Sequence, residues 1–184
     1  IFRVWLYAII SAGVDSTTDV AQVKRIKLSN VFSLFGITGF LFFILLISFF
    51  KWWLVVGFQM VFVVLFCLCI LLNYYKKYNL SRFLYILSFA GFILFFGWLD
   101  YTHTIRVHYY LFILPLMIFV MFEVRQSSAL IVAFTIVVAT FVAINEIDSP
   151  LHFHNYSIND RVITIMHLIN VLFIFFILSF IAFH

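Results

Sequence analysis

The residues with chemical potential fall mostly in the second half of this chain. Asp100, His103 and His108 share one stretch, and His152 and His154 share another that also holds Glu146, Asp148 and Asp160. Imidazole nitrogens and carboxylate oxygens together form a mixed donor set suited to a divalent metal. His152 and His154 alternate, so in an extended segment both rings point the same way and could clamp one ion. The sequence identifies no cofactor; a divalent metal, zinc or manganese, at the outer face is a candidate, with Asp100, His103, His108, His152 and His154 as candidate ligands. The competing reading places these rings at the headgroup level beside Tyr101, Tyr109, Tyr110 and Tyr156, as ordinary interfacial residues.

A second constellation follows directly. Asp160, Thr164, His167 and Asn170 are spaced four, three and three apart, which puts all four on one face of a helix. They form a candidate ligand or signal stripe. An ionisable group such as His167 is costly inside a bilayer and marks a site. The plainer alternative is hydrogen bonding to neighbouring helices, at about 0.6–2 kcal/mol each. Gln59 belongs with that plainer class.

The elements that position these residues are membrane helices. With 66% hydrophobic and 10% charged residues, the chain departs from a soluble domain, which carries about 25% charged residues. The expected fold is all-α: a polytopic six-helix transmembrane bundle with a short N-terminal interfacial helix. Residues 1–11 are apolar with Arg3, Trp5 and Tyr7, too short to span, and Gly13 ends them. Ser16 to Asp19 reads as a capping-box-like start, with the hydroxyl as acceptor. The helix it opens carries Lys24, Arg25 and Lys27 into the first span. Residues 1–28 are thus cytoplasmic interfacial and lead-in helices, and 29–184 are the six-helix receptor domain. The spans fall near 31–50, 54–72, 83–99, 109–122, 128–144 and 162–183, with Pro115 predicting a kink in the fourth.

Charge sets the orientation. Lys24, Arg25, Lys27, Lys76, Lys77, Arg82 and Arg125 fall on one side, and Lys51, Arg106 and Arg161 on the other. That bias predicts both termini in the cytoplasm of a multi-pass protein of the bacterial inner membrane. Cys67 and Cys69 sit two apart on one helix and point in different directions, so no disulfide is expected between them. The basic residues form no stripe with interleaved aromatics, so nucleic acid is not an expected partner. The chain contains no HExxH, no HxxxH, no GxSxG and no lysine on the sixth span for a Schiff base. No catalytic residue is identified.

The order of these features resembles bacterial six-helix membrane modules that precede class III adenylyl or guanylyl cyclase domains, and in other chains sensor histidine kinase domains. The likeness is carried by GVDS (13–16), KRIKLSN (24–30), FGWLD (96–100), HYYLFILP (108–115) and the acidic, proline-containing loop 145–150. It implies a homodimer whose last helix continues into a covalently linked cytoplasmic effector. It also implies an outer face that acts as a receptor surface and in some cyclases holds a divalent cation. The expected function is a membrane receptor and anchor that passes a signal through its last helix to a nucleotide cyclase. Alternatives are a histidine kinase sensor or a small stand-alone transporter. No cyclase or kinase residues occur in the chain itself.

Overall fold

In a bilayer each backbone N–H and C=O needs a partner within the chain, so apolar segments of this length become helices. A computed structural model describes residues 2–49, 51–99, 113–122 and 127–146, and those residues form six helices. They are α1 (Phe2–Ile10), α2 (Val20–Ser48), α3 (Trp53–Tyr74), α4 (Tyr78–Leu99), α5 (Ile113–Met121) and α6 (Ser127–Glu146). The protein is all-α. Three helices, α2, α3 and α4 over Tyr78–Phe95, are long and apolar enough to cross a membrane, and they mark it as a membrane protein. The fourth and fifth expected spans correspond to the shorter α5 and to α6, whose apolar stretch is Ser128–Ala143. The sixth expected span lies outside the described residues.

The chain divides into two compact units, Ile1–Ser88 and Phe89–His184. In the first, α2 and α3 form an antiparallel hairpin turned at Lys51, a residue held at φ 59°. Its buried seam has a repeat of seven: Ile26, Ser33, Phe40 and Ile47 on α2, against Val55, Phe62 and Cys69 with Gln59, Phe66 and Asn73 on α3. A seven-residue repeat is the pattern of helices packed in a left-handed sense. Phe40 stacks on Phe62 and Phe66 at 5.5 and 5.7 Å between centroids. Gly36 makes this approach feasible, because a Cβ there would lie 2.8 Å from the Phe66 ring. Tyr85 of α4 closes the cluster, 5.2 Å from Phe66 and 6.3 Å from Phe32.

Outside the seam the hairpin is apolar on its exposed side too, through Leu41, Phe42, Leu45, Phe58, Val61, Val64 and Leu68. A surface of that extent suits hydrocarbon rather than water. At 29 residues α2 is roughly 44 Å long, against about 30 Å of bilayer core. Its first turns, which carry Lys24, Arg25 and Lys27, therefore reach beyond the hydrocarbon.

Two boundaries differ from expectation. The cap of α2 is Asp19, whose carboxylate accepts from the N–H of Ala21 at 3.1 Å. Ser16 lies before the helix; Asp15 takes the neighbouring Thr17 and Thr18 hydroxyls at 2.8 and 2.7 Å, which shapes the lead-in as a turn. The second difference is α4, which starts at Tyr78 rather than near 83. The N–H of Lys77 returns to the carbonyl of Leu72 and that of Lys76 to the carbonyl of Asn73, both at 2.9 Å, with Lys76 at φ 60°. This paired C-terminal closure reverses the chain within three residues, 75–77, and leaves the segment from Tyr78 free to be helical. Cys67 is exposed and Cys69 buried, both as free thiols.

In the second unit α5 and α6 form a helical hairpin. Phe119 meets Phe134 edge to face at 5.3 Å, over a core of Met117, Ile118, Met121 and Ala133. The residue whose carbonyl Pro115 would leave without a helical N–H, Leu111, lies outside the described residues, so the expected kink is not described.

Candidate functional site

Polar side chains buried in an otherwise apolar bundle are the places where structure departs from simple packing. In the first unit they concentrate at one end of the hairpin. Asn30 on α2 and Asn73 in the last turn of α3 are both fully buried. Asn73 Nδ2 donates to Asn30 Oδ1 at 2.7 Å and, more weakly, to Ser29 Oγ at 3.3 Å. Asn30 Nδ2 in turn donates to the carbonyls of Ile10 and Ala12, both at 3.0 Å. The Ile10 carbonyl is the last of α1, one of the groups that a helix end leaves without an intrahelical partner, and the Ala12 carbonyl lies in the turn that follows. One amide thus joins three segments: the end of α1, α2 and the end of α3.

Gly13 makes the close approach possible. Its φ is +88°, and a Cβ there would lie 2.0 Å from the carbonyl oxygen of Asn73. Both the left-handed backbone and the contact exclude a side chain. Its own carbonyl accepts from the Tyr78 hydroxyl at 2.7 Å, which ties the lead-in to the first residue of α4. Two residues on, the Asp15 carboxylate pairs with the Lys76 ammonium. Lys76 occupies the left-handed closing position of α3, where glycine is usual. That conformation aims its side chain across the gap to Asp15.

Electrostatics at this pair follow from geometry. The Lys76 ammonium first, then the Thr18 and Thr17 hydroxyls, hold the Asp15 carboxyl well below the ordinary carboxylate range. Asp15 reciprocally raises Lys76 above its usual value. Lys76 is exposed and Asp15 partly so, at 62% and 35%, so solvent screens much of the attraction. The arrangement contains amides, hydroxyls and one ion pair, a set suited to holding segments together and to switching between paired and unpaired states. Deeper in the hairpin Gln59 is also buried, as expected, but its Oε1 has no hydrogen-bond partner. It does not form the interhelical bond that its placement suggested.

The residues singled out from the sequence cannot be placed against this cluster. Asp100, His103, His108, His152, His154, Asp160, Thr164, His167 and Asn170 all lie outside the described residues. Among the described residues no group of three or more His, Cys, Asp or Glu side chains is placed to hold a metal. Asn30, Asn73, Asp15 and Lys76 were not expected as a site. A signal for them exists: isolated asparagines inside apolar runs are the polar groups that join membrane helices.

No family model matches this chain, and no curated protein and no solved structure is similar to it.

Proposed function

We propose that the chain is a membrane receptor and anchoring module of a bacterial inner membrane, with the Asn30–Asn73 block facing the cytoplasm. The observation that carries this reading is the block itself. Asn30 ties the end of α1, α2 and the α3–α4 turn into one hydrogen-bonded body at the cation-rich end of the hairpin. Such a body moves as a unit, so a change of packing among the spans reaches the membrane surface as displacement of a defined surface. The output in this reading is a covalently linked nucleotide cyclase, on the sequence resemblance, with a histidine kinase as the second choice and two copies of the module side by side. The signal enters on the opposite face, where the charge bias puts the histidines and acids of the two outer loops. Asp160, Thr164, His167 and Asn170 of the sixth span are the route inward.

A stand-alone transporter is less well supported. Transporters commonly place their sites at broken helices near the bilayer midplane. Here α2 and α3 run unbroken for 29 and 22 residues, and the side-chain hydrogen bonds that join them, from Asn73 to Asn30 and Ser29, lie at one end.

The test is a fusion of the chain, through His184, to a class III cyclase catalytic domain in a cyclase-deficient bacterium. Cyclic nucleotide is compared with that from the same catalytic domain on an unrelated six-span anchor, at matched membrane levels. A receptor module gives output that changes by at least about twofold when Asn73→Leu loosens the block. Output equal to the unrelated anchor and indifferent to Asn73→Leu contradicts the reading.

A further inference from the structure

The first unit contains only two acids, Asp15 and Asp19, and both are committed. Asp15 holds Lys76, Thr17 and Thr18, and Asp19 caps α2. Three other cations of the unit lie on the faces of α1 and α2 that meet at Tyr7. Lys27 Nζ lies 5.5 Å from the centre of the Tyr7 ring. Arg3 is four residues before Tyr7 on the same face of α1, and Lys24 is three before Lys27 on the same face of α2. Lys24 and Arg3 are exposed. Beside them α1 also exposes Trp5, at 68%, with Val4 and Leu6. A helix with apolar and aromatic residues exposed next to cations is built to lie in the headgroup layer. The two faces that meet there carry positive charge only.

We infer that α1 and the first turns of α2 form a binding surface for anionic phospholipid headgroups, with Arg3, Lys24 and Lys27 supplying the charge. The headgroup phosphate takes the place that a carboxylate would otherwise fill, and Trp5 and Tyr7 fix the depth of the helix at the interface. The surface sits beside the Asn30 block, because α1 is held there through the carbonyls of Ile10 and Ala12. This inference goes beyond the receptor reading and holds whatever effector the module serves.

The experiment uses the whole chain with Trp52, Trp53 and Trp98 replaced by Phe, so that Trp5 alone reports. It is reconstituted in phosphatidylcholine vesicles doped with brominated phosphatidylglycerol or, at the same fraction, brominated phosphatidylcholine. Greater quenching by the anionic lipid measures its enrichment beside Trp5. The expected enrichment is on the order of fivefold at low salt. It falls below about twofold in Lys24→Gln/Lys27→Gln, and also for the unaltered lysines in about 1 M salt, where the screening length is near 3 Å. Lys51→Gln, at the far turn of the hairpin, keeps the full enrichment. Equal quenching by the two lipids overturns the proposal. So does an enrichment that persists in Lys24→Gln/Lys27→Gln or in high salt, or one that Lys51→Gln abolishes to the same degree. The salt series decides the matter even if the double variant fails to fold.

Discussion

Asn73 donates to Asn30 across the α2–α3 seam at 2.7 Å, with both side chains removed from lipid and water. The same Asn30 donates to the last carbonyl of α1 and to that of Ala12 in the turn after it. One pair therefore decides both how the hairpin closes and where the N-terminal helix lies.

Asn73→Leu is expected to destabilise the protein by about 1–3 kcal/mol, because Asn30 Oδ1 is left buried without a donor. A double-mutant cycle with Asn30→Leu should give a coupling of about 0.6–2 kcal/mol, read from reversible unfolding in mixed detergent. Additive losses would show that the two amides act independently.

Gly13 and Gly57 should respond in opposite ways to alanine. A Cβ at Gly13 meets the backbone of Asn73 and a left-handed φ, whereas one at Gly57 meets nothing within 4 Å. Gly13→Ala is expected to cost about 2 kcal/mol or more, and to expose the 10–16 segment to limited proteolysis. Gly57→Ala should be neutral or stabilising, by up to about 1 kcal/mol. Equal melting of the two variants would contradict the described packing.

These positions show what the sequence could and could not convey. Helix existence was legible for the first three spans, since long apolar runs in lipid have no alternative. The lead-in through Lys24 and Lys27 is continuous with the first span, as its sequence implies, and α2 is one helix from Val20. The seam was not legible: nearly every residue of α2 and α3 is apolar, so Phe62 facing α2 and Phe58 facing outward look alike in sequence. The closure at Lys76 was also hidden, because lysine gives no hint of a left-handed backbone. The Asn30–Asn73 pair links residues 43 apart, and separation of that kind leaves no local pattern. Histidines and acids are more conspicuous in a sequence than a pair of amides.

The Asp15–Lys76 pair gives the stability a defined pH dependence. Asp15 is lowered from 3.8, so its contribution is complete above that value and is lost as acid protonates the carboxylate. Lys76 is raised from 10.5, so its contribution is complete below that value and disappears as pH rises past it. The melting difference between wild type and Asp15→Asn should be flat from about pH 5 to 9. It should narrow at both extremes and shrink with salt. A difference that peaks near neutrality and ignores salt would count against the pair.

Gln59 makes a separate prediction about the interior. Its Oε1 is buried without a partner, so the nearly isosteric Gln59→Met should raise unfolding stability by about 1 kcal/mol. A loss of similar size would mean that a donor engages this oxygen in the membrane.

The most direct measurement for a receptor module with its hydrogen-bonded block on the inner surface is cysteine accessibility in intact cells. Single cysteines replace Lys51 and Lys77, both exposed and at opposite ends of the α2–α3 hairpin, in a Cys67→Ser/Cys69→Ser background. An impermeant maleimide should modify position 51 and reach position 77 only after the membrane is opened. Labelling of 77 with protection of 51 in intact cells would put Asn30, Asn73 and α1 on the outer surface and contradict the proposal.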